Sequence, residues 1–163
     1  DCVLIKGVKV VQGEKGLYVS MPAYADKKSG KYFDQVFPVT QEDRNALNKS
    51  VLEAYNEQKV HVKTNADKAS DITARVFLNT REDISNVLGT ASVTVGNGLA
   101  INGIRIMKNS ETQKAFLSYP SFKDKDGNYQ EVCNPVTKAM HDKIEGVVLD
   151  EYQKTLAYII SVI

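Results

Sequence analysis

Ser20 to Thr40 reads SMPAYADKKSGKYFDQVFPVT, and Ser118 to Thr137 reads SYPSFKDKDGNYQEVCNPVT. Pro22, Gly30, Tyr32, Pro38, Val39 and Thr40 recur as Pro120, Gly127, Tyr129, Pro135, Val136 and Thr137. The match extends upstream, where Ile5 and Gly7 answer Ile101 and Gly103, and downstream, where Val51, Leu52 and Tyr55 answer Val148, Leu149 and Tyr152. The offset drifts from 96 to 98 and returns to 97, so small insertions fall in turns. The chain is a duplicated module, with too few copies of too great a length for a solenoid.

The second copy is the fuller one. Ile72–Asn79 and Ala91–Val95 carry β-formers in alternation, and Gln113–Tyr119 is a further strand ended by Pro120, which cannot donate to a ladder. Strict alternation in Leu99–Met107 puts Leu99, Ile101 and Gly103 on one face and Ile104 and Ile106 on the other. Asn97-Gly98 and Asp126-Gly127 are turn signals. Tyr129–Cys133 closes the meander as a short strand. The period then changes. Thr137 can cap a helix, and Met140, Ile144, Val148, Tyr152, Leu156 and Ile160 form an i, i+4 stripe. The apolar tail 157–163 is expected to continue that helix rather than form a strand. The first copy ends alike, with a Thr40/Asp43 capping-box pattern before Leu47, Val51, Leu52 and Tyr55. About 27 residues precede Leu99 in the second copy, against two or three at the matching point of the first, so the first copy is expected to lack its leading hairpin, either through truncation or because another segment replaces those strands.

These segments resemble the stage V sporulation protein G (SpoVG) family. The resemblance rests on Gly7–Pro22 (GVKVVQGEKGLYVSMP), the Lys/Gly turn, the Pro-Val-Thr helix start and the Val-Leu-x-x-Tyr helix end. It covers almost the whole chain, twice, from Cys2 to Tyr55 and from about Ile72 to Tyr152. The expected organisation is 1–58 as module one without its leading strands, 59–71 as a polar linker with a short strand at 60–63, and 72–163 as module two with an apolar C-terminal extension. The expected fold is α+β. Each module is an antiparallel meander followed by an amphipathic helix, and the two form an intrachain pseudo-dimer. The resemblance implies a small bacterial, cytoplasmic, non-enzymatic regulator of septation and sporulation, whose relatives bind DNA or RNA and dimerise when they have one module. Division proteins are alternative partners, and further homo-oligomerisation is left open. Tyr119 stands where the family has Met, Asn134 where copy one has Phe37, and His141 where copy one and the family have Arg, which puts equal function of the two copies in question.

Composition is ordinary for a globular chain, at 42% hydrophobic and 25% charged. A net charge of +1 means that anion binding needs a local patch. No run long enough for a membrane helix exists. The chain opens on Asp1 without a secretory signal pattern, and its two cysteines occupy unrelated positions of the repeat; a cytosolic setting without a disulfide framework is expected. Cys133 matches Val36 and reads as a small core residue. No phosphate loop or nucleophile elbow is present, and no cofactor is implied. His61 reads as a solvated linker residue. His141 reads as a surface residue with no carboxylate at metal-ligand spacing, Asp142 pointing elsewhere on the helix; no metal site is expected. The candidate nucleic-acid contacts are Lys27, Lys28 and Lys31 in the first turn and Lys123 and Lys125 in the second. Arg44, Lys138, His141 and Lys143 join them at the helix starts. Tyr24, Tyr32, Phe122 and Tyr129 lie beside these lysines and can stack on bases. The competing reading makes the lysines merely solvated, packs Tyr32 and Tyr129 under the turns, and lets the interleaved acids weaken the field.

Overall fold

A computed structural model describes residues 3–59, 71–79, 86–96 and 98–162. The short strand expected at 60–63, His61 and Cys2 lie outside them. The fold is α+β. In copy one, β1 (Val3–Ile5), β2 (Lys9–Gly13), β3 (Gly16–Ser20), β4 (Ala23–Ala25), β5 (Tyr32–Asp34) and β6 (Val36–Pro38) precede α1 (Gln41–Asn56). Copy two opens with β7 (Ile72–Leu78) and β8 (Val87–Val95), then β9 (Leu99–Lys108), β10 (Ala115–Ser118), β11 (Ser121–Lys123), β12 (Tyr129–Glu131) and β13 (Cys133–Pro135), and ends in α2 (Lys138–Val162).

The two copies are joined by reciprocal strand exchange. β6 of copy one pairs with β9 of copy two, Val36 opposite Ile101. β1 of copy one pairs with β13 of copy two, Ile5 opposite Cys133. Ile5 is the repeat mate of Ile101, and Cys133 of Val36, so each contact is the other rotated. The flanking bonds repeat as well: Asn102 N–H donates to Gln35 O and Lys6 N–H to Val132 O, both at 2.7 Å. A self-complementary contact of this kind defines a two-fold interface, here within one chain.

The expected strands form, with three corrections. Tyr129–Cys133 does not make one strand: it breaks at Val132, whose N–H donates to Pro120 O at 2.8 Å, and β12 and β13 join different sheets. Residues after Pro120 form β11, paired with β12. Strict alternation fails in β9. The β8–β9 register shifts between Ala91 and Val93, and Gly103 adopts φ 77°, so Asn102 and Gly103 bulge opposite Ser92. The bulge turns Ile104 and Ile106 to the same core as Ile101, and all three are fully buried.

That core lies between the five-stranded sheet and α2. Ile101, Ile104, Ile106, Val93, Ile144 and Val148 fill it, with Val36 contributed by copy one. Copy one is barer. β8 pairs along one side of β9, and β6 and β10 share the other. The corresponding β1 and β2 carry only β13 and β3, so among the described residues nothing takes β8's place on their outer edge. Leu47, mate of the fully buried Ile144, is consequently only partly buried. Half of the expected capping box is formed: Asp43 N–H donates to Thr40 Oγ1 at 3.1 Å, while the Asp43 carboxylate accepts from the Thr40 hydroxyl, at 2.6 Å, rather than from its backbone N–H. The helical continuation of the C-terminal tail is also formed, through Val162. Its stripe outruns the sheet, leaving Tyr158 and Ile160 exposed.

Candidate nucleic-acid interface

The basic turns sit at the tips of two hairpin arms, β4–β5 and β11–β12, each a two-stranded sheet of its own. In the first arm Asp26 organises the turn: Ser29 Oγ and the Ser29 and Lys28 amides donate to its carboxylate. The Ser29 hydroxyl bond foremost, with those amides, holds the Asp26 carboxyl below its usual range. Gly30 closes the turn at φ 67°, a conformation that disfavours any side chain. In the second arm Asp124 accepts from the Asn128 and Asp126 amides, at 2.8 and 3.0 Å, and from Gln130 Nε2. Its carboxyl is likewise lowered, chiefly by the Asn128 bond. Two of the interleaved acids are thus turn-builders, with their charge directed at backbone amides.

Lys27, Lys28, Lys31, Lys123 and Lys125 are all exposed. The expectation that Tyr32 and Tyr129 pack beneath the turns is overturned: they are 77% and 71% exposed. The arms are too narrow to have an underside, since each consists of two three-residue strands. Tyr24 and Phe33 stack on the first arm with ring centroids 5.7 Å apart, and both rings are open to solvent. On the second, Lys123 Nζ lies 5.1 Å from the Tyr129 ring centre. The arms differ in charge. Residues 23–34 hold three lysines against two aspartates; residues 121–131 hold two lysines against three acids.

The helix starts divide differently. Arg44 reaches back to Asp34 at 3.6 Å, tying α1 to the base of the first arm and engaging its guanidinium there. The first turn of α1 already carries Glu42 and Asp43, which occupy the positive end of the helix dipole. α2 begins with no acid in its first turn and exposes Lys138, while Met140 N–H is capped by Thr137 Oγ1 at 3.2 Å. Lys143 is exposed on the next turn. His141 differs from its expected surroundings: its Nδ1 lies 3.5 Å from Asp142 Oδ1, and a ligand atom of each of His141, Asp142 and Glu145 lies within 4.8 Å of the others. The correction follows from helix geometry, since Glu145 stands one turn beyond His141 on the same face. Cys133 is wholly buried, as its match to Val36 implies, and burial first, then Glu131, pushes its thiol up to about 12.

The SpoVG family pattern matches residues 1–57 and 63–154. The chain belongs to the SpoVG family. Among its relatives, each named "Putative septation protein SpoVG", that of Archaeoglobus fulgidus is 49% identical over 55 residues, 34% of this chain and 64% of the relative. That of Symbiobacterium thermophilum is 48% identical over 52 residues, 32% of this chain and 36% of the relative. That of Lachnospira eligens is 40% identical over 55 residues, 34% of this chain and 61% of the relative. The chain therefore spans between about a third and two thirds of the length of these SpoVG relatives. Among its described residues, no helix is long and apolar enough to cross a membrane.

Proposed function

We propose that this SpoVG-family chain is a non-enzymatic, cytoplasmic regulator of septation, sporulation or gene expression that binds DNA or RNA through its β4–β5 arm. The carrying observation is the pairing of three exposed lysines with the solvent-open Tyr24–Phe33 stack on one hairpin. Lysines at the tip neutralise phosphates and release counterions, and exposed rings offer bases a stacking platform. Lys138 and Lys143 add exposed positive charge at the start of α2. The acid-rich β11–β12 arm, with Lys123 and Lys125, contributes less. Arg44 positions the first arm through Asp34, and His141 serves the adjoining carboxylates.

The test is a titration of the full chain against labelled duplex DNA, single-stranded DNA and RNA at two salt concentrations. Saturable binding that weakens with salt is expected. Lys27, Lys28 and Lys31 replaced together by Ala should flatten the log–log salt slope by roughly two units, at about 0.7–0.9 per lost phosphate contact. Tyr24→Ala should weaken single-strand binding at unchanged slope. No binding at low salt would overturn the reading. It would leave a protein-interaction regulator of division, for which the exposed Tyr158 and Ile160 on the projecting end of α2 are the relevant surface.

A further inference from the structure

Repeat mates let one copy serve as the reference for the other. Around the start of α1, copy one has Met21, Asp34, Arg44, Asn45 and Asn48. The Arg44–Asp34 pair settles the charge there. At the matching positions copy two has Tyr119, Glu131, His141, Asp142 and Glu145. A fixed guanidinium has become an imidazole, and two amides have become carboxylates. Three carboxylates now stand where copy one has one.

We propose that His141, Asp142 and Glu145 form a binding site for a divalent transition-metal cation of the zinc type, confined to copy two. The three supply one nitrogen and two oxygens, within 4.8 Å of one another. Ligands at about 2.0–2.2 Å from zinc lie roughly 3.5 Å apart, so small side-chain rotations on one helical turn close the set. An imidazole with carboxylates suits zinc better than magnesium or calcium, which take oxygen ligands.

The second observation is independent of that cluster. Tyr119 is only 5% exposed, its ring lies 6.5 Å from that of His141, and its hydroxyl has no hydrogen-bond partner. A buried hydroxyl without a partner is costly. A water completing the coordination of the ion would give this donor its acceptor, the outer-sphere arrangement that tunes metal sites. Met21 in copy one offers no such group.

The test is a zinc chloride titration of the full chain, followed by NMR of the two histidine rings and by thermal unfolding. His141 resonances should shift or broaden saturably with one equivalent. Zinc at 100 times its Kd should raise Tm by roughly 5–10 °C, and magnesium should not. His141→Arg, which installs the copy-one residue and should fold, must abolish the response. Glu145→Gln must do the same, while His61→Ala must retain it. Unmoved His141 signals under tenfold excess zinc, or a Tm rise that survives in His141→Arg or Glu145→Gln, would overturn the proposal.

Discussion

Ile5 and Ile101 are the same residue at the same place in the repeat, each opposite the equivalent strand of the other copy, yet their burial differs. Ile101 is fully buried, because β8 closes the other side of β9; Ile5 is partly exposed, because no described strand closes the outer edge of β1. Truncating a fully buried isoleucine to alanine costs about 2–5 kcal/mol, the loss of transfer energy plus a cavity. Ile101 sits at the centre of the core, against β8 and β6, so Ile101→Ala should fall near the top of that range, at about 4 kcal/mol. Ile5→Ala opens a site that solvent already reaches, so the cavity contribution largely vanishes and about 1–2 kcal/mol remains. The predicted difference is therefore at least about 2 kcal/mol between two chemically identical substitutions.

Equilibrium urea unfolding of the two variants and the parent measures it, through the midpoint at constant m. Val36→Ala serves as the internal control. This copy-one residue is fully buried in the core centred on copy two, and losing two methyl groups there should cost about 2 kcal/mol. All transitions should be single, because β1 and β6 are committed to the other copy. Equal costs for Ile5→Ala and Ile101→Ala would refute the reasoning, since they would mean that the outer edge of copy one is as well covered in solution as β9 is.

Gly103→Ala should lose about 1–2 kcal/mol by thermal or urea melts; no neighbour obstructs a Cβ there, so the whole cost is that of φ 77°. Thr40→Ala should cost about 1 kcal/mol by removing the cap of α1, and helix content by circular dichroism should fall little, because tertiary contacts hold the rest. The pH response of the arms has a definite sign. The folded-state carboxyls of Asp26 and Asp124 are lowered, so the turn stabilisation is present above the unfolded value near 3.8 and is lost as pH falls through the folded one. Amide exchange corrected for intrinsic rates should show Ser29 and Asn128 losing protection in acid before the core strands do; equal protection below pH 3 would contradict it.

The repeat, the helix caps and the identity of most strands are legible in the sequence because they depend on local chemistry: a Pro-Val-Thr start, a glycine turn, a change of hydrophobic period. Strand exchange is not legible, since nothing in Val36-Phe37-Pro38 distinguishes a partner in its own copy from one in the other. The bulge at Gly103 was hidden for a different reason. Alternation assigns faces correctly only in an unbroken ladder, and a single glycine with positive φ resets it. The lysines of the candidate interface were visible, whereas the exposure of Tyr32 and Tyr129 required knowing that their hairpins stand alone. The His141 cluster is not legible from adjacency, because neighbouring residues diverge on a helix; the i, i+4 relation to Glu145 is the signal that carries it.

Duplication within one chain removes a constraint that a homodimer cannot escape. In a symmetric dimer every substitution appears on both sides of the axis. Here the two-fold contact is kept nearly intact, with Ile5 and Ile101 and the matched bonds of Lys6 and Asn102 preserved. The divergence lies outside it. One arm holds an excess of lysine and the other an excess of acid, and where copy one has Arg44 paired with Asp34, copy two has His141 with Asp142 and Glu145. The exchanged strands position both arms from the same central core, so the two arms can differ in ligand without differing in placement. That separation of a symmetric scaffold from asymmetric surfaces predicts that exchanging residues 26–31 with 124–128 between the arms would move nucleic-acid affinity from one arm to the other while leaving the unfolding free energy from urea melts within about 0.5 kcal/mol of the parent, as expected of surface substitutions. A large loss of stability instead would mean that the arm tips help hold the pseudo-dimer together.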